Sequence, residues 1–413
     1  MTASPIGNQR RHGVIVDLLL SQTVALGASV IVTFVTAKLL GPGGRGQMAF
    51  ILTTANLLGI LASGSLHVGV TDAHKSGDPT ALRRGLTVGL WGAACILFVT
   101  LGAALVARLC NNSPLANQLL LTSVGASLVC FNLAVLRTRQ GLGDARAFRN
   151  AWSIQSGIYL VFGVLFAAIT HLVTLVVCSW FVGLVVSTIY ALHGYRRPTE
   201  CDHAVIVSTR SIVLTSFSAH IGFIGIQVLY RADIIVLGLV VSSEQLGIYS
   251  VAAPIAELTW VLSEALSLVA FSQVRRGQNL ERRLAERGQL LRINLIAATV
   301  GALIIAVATW VFLPKVLPAY SGAVSIVLIL LPGILIQGAA RISFSALVAT
   351  GVRRPPIIIG AISAVLAVLY LPLSFLWGIT GAAIAATTIY GLQALLVFSL
   401  VHRLDHARAA NAN

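Results

Sequence analysis

Four ionisable side chains stand inside apolar stretches where charge is costly. Arg231 and Asp233 lie in the run TyrArgAlaAspIleIleValLeuGly. Glu257 and Glu264 lie in the next apolar run, seven residues apart with Trp260 between them. A charge at the centre of a bilayer costs roughly 2.5–3.5 kcal/mol on insertion scales, so it has either a partner or a task. The spacing of Glu257 and Glu264 predicts one helix face. The turn between the two runs centres on Glu244, with Arg231 thirteen residues before it and Glu257 thirteen after it. Each is then about 20 Å from the turn, at matching depth in two antiparallel helices. An Arg231–Glu257 contact follows, with Asp233 placed to share it. Two roles remain open. The pair can simply fix the hairpin, or the groups can line a water-filled cavity in which Arg231 offers its planar fork of donors to an anion.

Other polar residues carry weaker signals. Asp17 falls in the first turn of the first apolar run, at headgroup depth or in a cavity. Lys38 and Arg45 flank the first external turn, and Asn56 follows it. Asn132, Gln155, Gln227, Gln337 and Gln393 can hydrogen-bond a sugar, but bridging between helices is the simpler expectation, as it is for His67 and His220 against proton coupling. GluCysAspHis at 200–203 is a poor metal cluster, because adjacent ligands on a loop do not converge. The five cysteines (Cys95, Cys110, Cys130, Cys178 and Cys201) show no paired spacing. GlyProGlyGlyArgGly at 41–46 lacks the GlyLys of a phosphate loop. The expectation is therefore no catalytic residue, no metal and no cofactor.

The elements that must position these groups are membrane helices. Of 413 residues, 57% are hydrophobic and 10% charged, against roughly a quarter charged in soluble domains. Spans of roughly 20 apolar residues are expected near 14–39, 48–70, 86–108, 115–136, 151–169, 172–192, 211–241, 246–273, 290–312, 323–340, 356–376 and 379–400. ArgArg at 10–11 precedes an apolar run with no cleavage motif, so that run reads as an uncleaved first span. Of the 28 lysines and arginines, 22 fall in the tails and even-numbered loops, Arg341 among them. Only Lys38, Arg45, Arg108 and Lys315 fall in the odd-numbered turns. This asymmetry puts both termini in the cytoplasm. The net charge of +15 then serves membrane insertion and contact with anionic lipids, and nucleic acid is not an expected partner. The polar stretch 273–288, with Leu280, Leu284 and Leu291 at helical spacing, is expected to be a basic amphipathic helix on the cytoplasmic leaflet.

The halves repeat. Shifting AlaLysLeuLeuGlyProGlyGlyArgGlyGlnMet by about 201 positions brings Gly46 onto Gly247, Met48 onto Tyr249 and Leu57 onto Leu258. Arg231 and Glu257 then match Val30 and Asn56, so the charge is confined to one half. Two lobes are expected, residues 1–200 with spans 1–6 and residues 201–413 with spans 7–12. The fold class is all-α integral membrane, twelve helices in two pseudo-symmetric lobes around a central cavity.

The AlaLysLeuLeuGlyProGlyGlyArgGly turn, the ArgAlaAsp…GlnLeuGlyIleTyrSerValAla segment and the closing TrpGlyIleThrGlyAlaAlaIleAlaAlaThr together resemble bacterial polysaccharide flippases of the Wzx type. These belong to the multidrug/oligosaccharidyl-lipid/polysaccharide exporter superfamily. The resemblance implies alternating access in the plasma membrane and a polyprenyl-diphosphate-linked glycan as substrate. It also implies membrane lipids, a polysaccharide polymerase and glycosyltransferases as partners. It places Arg231, Asp233, Glu257, Glu264 and Trp260 at the substrate, with Asp17, Lys38, Asn56, Gln227 and Gln337 as coupling or cavity residues. The three carboxylates depart from the cationic cavity of that family. They keep open an exporter of organic cations; a membrane glycan polymerase is disfavoured for want of a large external loop.

Overall fold

In the computed structural model, backbone is described for residues 5–193, 206–274, 280–352 and 354–410, and side chains for 27–144, 146–193, 206–218, 220–271, 286–352 and 354–405. Among the described residues the chain is all-helical, without a strand. The helices are α1 (Pro5–Ser63), α2 (Leu66–Lys75), α3 (Ala81–Leu109), α4 (Ser113–Gly141), α5 (Ala145–Thr170), α6 (Val173–His193) and α7 (Thr209–Val240). They continue with α8 (Ser243–Glu257), α9 (Trp260–Val274), α10 (Leu280–Val316), α11 (Ala323–Ala349), α12 (Arg354–Leu366) and α13 (Tyr370–Ala410).

Nine described stretches are long and apolar enough to cross a membrane, ten when the bent pair α8–α9 counts as one span. Two of them, Gly27–Lys75 and Arg354–Asp405, run for 49 and 52 residues. At about 1.5 Å per residue each exceeds twice the roughly 30 Å of a bilayer core. Each also breaks at a glycine with positive φ: Gly41 at 67°, followed by Pro42, and Gly378 at 57° after Trp377. The breaks at Gly41 and Gly378 fall between the spans expected at 14–39 and 48–70 and between those expected at 356–376 and 379–400, at backbone angles that only glycine tolerates.

The chain packs as two compact units, Met1–Leu40 with Gln47–His220, and Gly41–Gly46 with Ile221–Asn413. The boundary expected near 200 lies outside the described residues, as do Cys201 and the GluCysAspHis run. The connector near 273–288 is described only in part, as the start of α10 from Leu280.

In the first unit Met48, Ile51, Val129, Val176, Trp180, Phe181 and Leu184 form the main core. Polar residues bridge its helices. The Asn132 amide donates to the hydroxyls of Ser187 and Thr188 at 2.8 Å each. His220 shares a hydrogen bond of 2.8 Å with Ser65 through Nδ1 and contacts the Leu61 carbonyl through Nε2 at 3.0 Å. On the polar side Asp78 pairs with Arg84 and accepts from the Val207 amide at 2.9 Å, while Arg84 also donates to the Val207 carbonyl. These contacts tie the entry of α7 to the turn between α2 and α3.

The second unit packs α7, α11, α12 and α13 around Ile226, Ala340, Leu347, Ile359, Ala394 and Val397. Gly225 and Gly360 let α7 and α12 approach until backbone touches backbone, the packing small residues provide in lipid. The break between α8 and α9 bends the chain by 47°. Pro254 lies in the last turn of α8 and denies a donor to the Ser250 carbonyl; Arg45 supplies one from Nη2 at 3.5 Å. The junction itself closes with shorter i→i+3 bonds at Leu258, Thr259 and Val261, a usual signature of a hinge or a strained turn.

Candidate functional site

The expected pair forms: Arg231 Nη1 on α7 lies 3.4 Å from Glu257 Oε1 at the end of α8. The Arg231 side chain remains 41% exposed and that of Glu257 22%, so the contact is reachable from outside the lobe's core. Asp233 is not part of that contact. It is buried, with Oδ2 accepting from the Tyr249 hydroxyl at 2.8 Å and Oδ1 from the Ile234 amide at 2.7 Å. Tyr249 is the residue the repeat sets opposite Met48, and its hydroxyl satisfies a carboxylate that the first half does not carry.

Glu257 and Glu264 do not share one helix face. The 47° break intervenes, and Glu264 on α9 pairs with Arg341 on α11. Arg341 is the functional-site candidate that sequence reasoning missed. Its place near the end of an apolar run made it look like a loop residue, but α11 continues to Ala349 and carries it inside the helix. Its guanidinium carbon lies 3.8 Å from the Trp260 ring centroid and 4.6 Å from that of Tyr230, and Nε donates to the Tyr230 hydroxyl at 3.2 Å. Such stacking is worth about 0.5–2 kcal/mol and holds the planar fork in one orientation.

Trp260 is itself anchored, donating from Nε1 to the Ile334 carbonyl at 2.8 Å. Its ring meets Tyr230 at 5.5 Å and Tyr390 at 5.7 Å, and the two tyrosines meet at 5.9 Å. Behind them Gln337 donates to the Tyr230 hydroxyl at 2.7 Å and to Gln393 at 2.8 Å, and Gln393 donates to Ser363 at 2.8 Å. Gln337 and Gln393 therefore bridge helices. The sequence offered Arg341 only as the residue directly after the apolar run expected at 323–340, and its meaning depended on where that helix ends.

The remaining expected residues do not join this cluster. Gln227 is half-buried on α7. Lys38 and Asn56 are exposed residues of α1 and belong to the first unit. Asp17 lies on the described backbone of α1, with its side chain outside the described residues. Among the described residues no three His, Cys, Asp or Glu side chains converge as metal ligands. The arrangement is two ion pairs, Arg231 with Glu257 and Arg341 with Glu264, mounted on four helices beside an aromatic cluster.

The helical arrangement is shared with solved structures of membrane transporters and a flippase. The fold matches the inward-facing structure of a multidrug resistance MATE family transporter of the MOP superfamily, with TM-score 0.75 and 14% identity over 96% of this chain and 100% of that one. It matches the lipid II flippase MurJ in its inward closed conformation, with TM-score 0.70 and 12% identity over 93% and 86%. A MOP superfamily transporter from Pyrococcus furiosus, described by a reversed polarity of its binding pocket, matches with TM-score 0.60 and 14% identity over 95% and 96%. No curated protein sequence matches. The sequence pattern of the polysaccharide biosynthesis protein family matches residues 12–271, and the chain belongs to that family.

Proposed function

We propose that the protein is a flippase that carries a polyprenyl-diphosphate-linked oligosaccharide from the cytoplasmic to the outer leaflet of a bacterial plasma membrane, with both termini cytoplasmic. The observation that carries this reading is the Arg231–Glu257 pair, a partly exposed guanidinium inside the membrane lobe of a polysaccharide biosynthesis family chain. A sugar headgroup cannot cross about 30 Å of hydrocarbon, because its hydroxyls would lose their hydrogen bonds. A polar route through the protein removes that barrier while the lipid tail stays in the bilayer. At rest Glu257 neutralises Arg231; phosphate oxygens then compete for the same donors, with bidentate geometry in their favour. An inside-negative potential favours outward movement of an anion by about 2.3 kcal/mol per charge per 100 mV, so export needs no nucleotide. The protein's part is translocation rather than catalysis.

The test uses proteoliposomes and a fluorescent polyprenyl-diphosphate-linked glycan whose outer-leaflet fraction is read by quenching. Wild type moves the probe; Arg231→Ala abolishes movement while still accumulating in the membrane, and Arg231→Lys retains little. Movement of the probe by Arg231→Ala at the wild-type rate refutes the role given to Arg231. A second reading, export of organic cations, draws on the half-exposed Glu264. Cation-dependent quenching by wild type without movement of the glycan lipid would favour it.

A further inference from the structure

Arg341 was absent from the sequence-level site, and its surroundings give it more than a structural place. It pairs with Glu264, and Glu257, three residues before the Trp260 that stacks on it, is near enough to interact with its charge. Glu257 also holds Arg231 at 3.4 Å. Glu257 thus interacts with both guanidiniums, at contact distance with Arg231, while Glu264 pairs with Arg341.

Helix register places these groups at successive depths. Arg231 and Glu257 are each thirteen residues from the α7–α8 turn, about 20 Å along their helices. Arg341 is eighteen residues from the start of α11 at that same end of the lobe, about 27 Å along. Glu264 lies seven residues past Glu257 beyond the 47° bend, which brings it to about the same depth as Arg341. Read from the outer end, the order is Arg231 with Glu257, then Arg341 with Glu264. Two ion pairs thus stand at successive depths along the direction in which the substrate must travel.

The two arginines differ in their mounting. Arg341 is backed by Trp260 and Tyr230, with 16% of its side chain exposed, so its fork is oriented before any ligand arrives. Its partner Glu264 is 53% exposed, and a pair that open to its surroundings is worth at most about 1 kcal/mol. An anion can therefore displace Glu264 at little cost. Arg231 has no aromatic backing among the described contacts and is 41% exposed, which suits a group that receives and releases.

We propose that Arg341 is a second anion station, on the cytoplasmic side of Arg231, which takes the diphosphate first and hands it to Arg231 across Glu257. The inference rests on the flippase reading and adds an order of contacts to it. During the transfer Glu257 changes partner. It pairs with Arg231 while the diphosphate is on Arg341, and turns to Arg341 once the diphosphate has moved outward. Neither guanidinium is left without an anion at any stage, which avoids an uncompensated buried charge.

The experiment measures binding of radiolabelled geranyl diphosphate to sealed inside-out vesicles carrying the full-length protein, corrected with protein-free vesicles. Arg341→Gln is expected to weaken binding at least tenfold, and Arg231→Gln to weaken it by less while abolishing movement of the fluorescent glycan lipid. Glu264→Gln removes the competitor for Arg341 and is expected to tighten binding about threefold, the gain open to a ligand once a weak competing pair is removed. Should Arg341→Gln fail to accumulate, Glu264→Gln decides the matter, because unchanged or weaker binding there overturns the station. Wild-type binding that Arg341→Gln leaves intact overturns the station, and binding that Arg231→Gln weakens more overturns the order of contacts; neither touches the flippase reading. Wild type that binds no geranyl diphosphate above protein-free vesicles overturns the flippase reading and this inference with it.

Discussion

Gly46 and Gly247 pack against each other: a Cβ built on Gly46 would lie 2.9 Å from the Gly247 amide nitrogen, and each glycine also faces the other turn's backbone. The contact is reciprocal in the repeat. Gly46 abuts the carbonyl of Ser243, and Gly247 abuts the carbonyl of Pro42. The shift of 201 positions that carries Gly46 onto Gly247 also carries Pro42 onto Ser243. A backbone-to-backbone approach of this kind admits no side chain at either position, so both copies of the repeat retain glycine for one steric reason.

Substituting either glycine should separate the two turns. A Cβ on Gly43 would lie 3.7 Å from the Glu244 side chain, close enough for a Gly43→Cys/Glu244→Cys pair to cross-link under mild oxidation. Adding Gly247→Leu is expected to suppress the cross-link and to lower stability by about 1–3 kcal/mol through overpacking. Gel mobility and thermal unfolding of the purified protein report the two effects. Undiminished cross-linking in the leucine variant would show that the contact is not formed.

Arg231→Leu and Glu257→Leu should each be worse than the two together in stability. Each single change leaves one charge without its partner, at about 1–3 kcal/mol, whereas the double change replaces the pair with apolar surface. Thermal midpoints of the four proteins close the cycle. Transport separates the roles: the double variant is expected to fold and remain inactive. A double variant that regains transport would make the pair a clamp of the hairpin only.

Asp78 should give the protein an acid-labile contact. Burial pushes its carboxyl upward, but the Thr80 hydroxyl, the Val207 and Thr80 amides and Arg84 outweigh burial and hold it below its ordinary 3.8. A folded value below the unfolded one means that this stabilisation is complete above about pH 4 and fades as pH falls through the folded value. Asp78→Asn should cost about 1–3 kcal/mol at neutral pH. The difference in thermal midpoint between wild type and variant should shrink below about pH 4. A difference that stays constant down to pH 2 would assign the loss to packing instead of charge.

Orientation is testable by fusion. Reporters placed after Arg84 and Arg149 are expected to report cytoplasm, and one at Gly43 the exterior, because basic residues are retained inside during insertion. A cytoplasmic reading at Gly43 would invert the arrangement and place Arg341 outward of Arg231.

Apolar runs of roughly 20 residues determined that the chain is a helical membrane protein. Backbone in lipid must satisfy its own hydrogen bonds, and a run that long does so as a helix, a barrel strand needing only about 9–11 residues. Counting along two antiparallel helices was enough to bring Arg231 to Glu257, since depth on a helix is linear in residue number. The 201-residue repeat likewise pointed to Gly46 and Gly247 as equivalent positions. What only the tertiary structure decided were partners drawn from other helices and the points where helices stop. Asp233 found Tyr249 instead of Arg231, and the break after Glu257 turned Glu264 toward Arg341. Arg341 read as a loop residue until α11 was seen to run on to Ala349. Periodicity and spacing act within one helix, whereas the choice between a loop arginine and a stacked, paired arginine is made by side chains that reach it from α7 and α9.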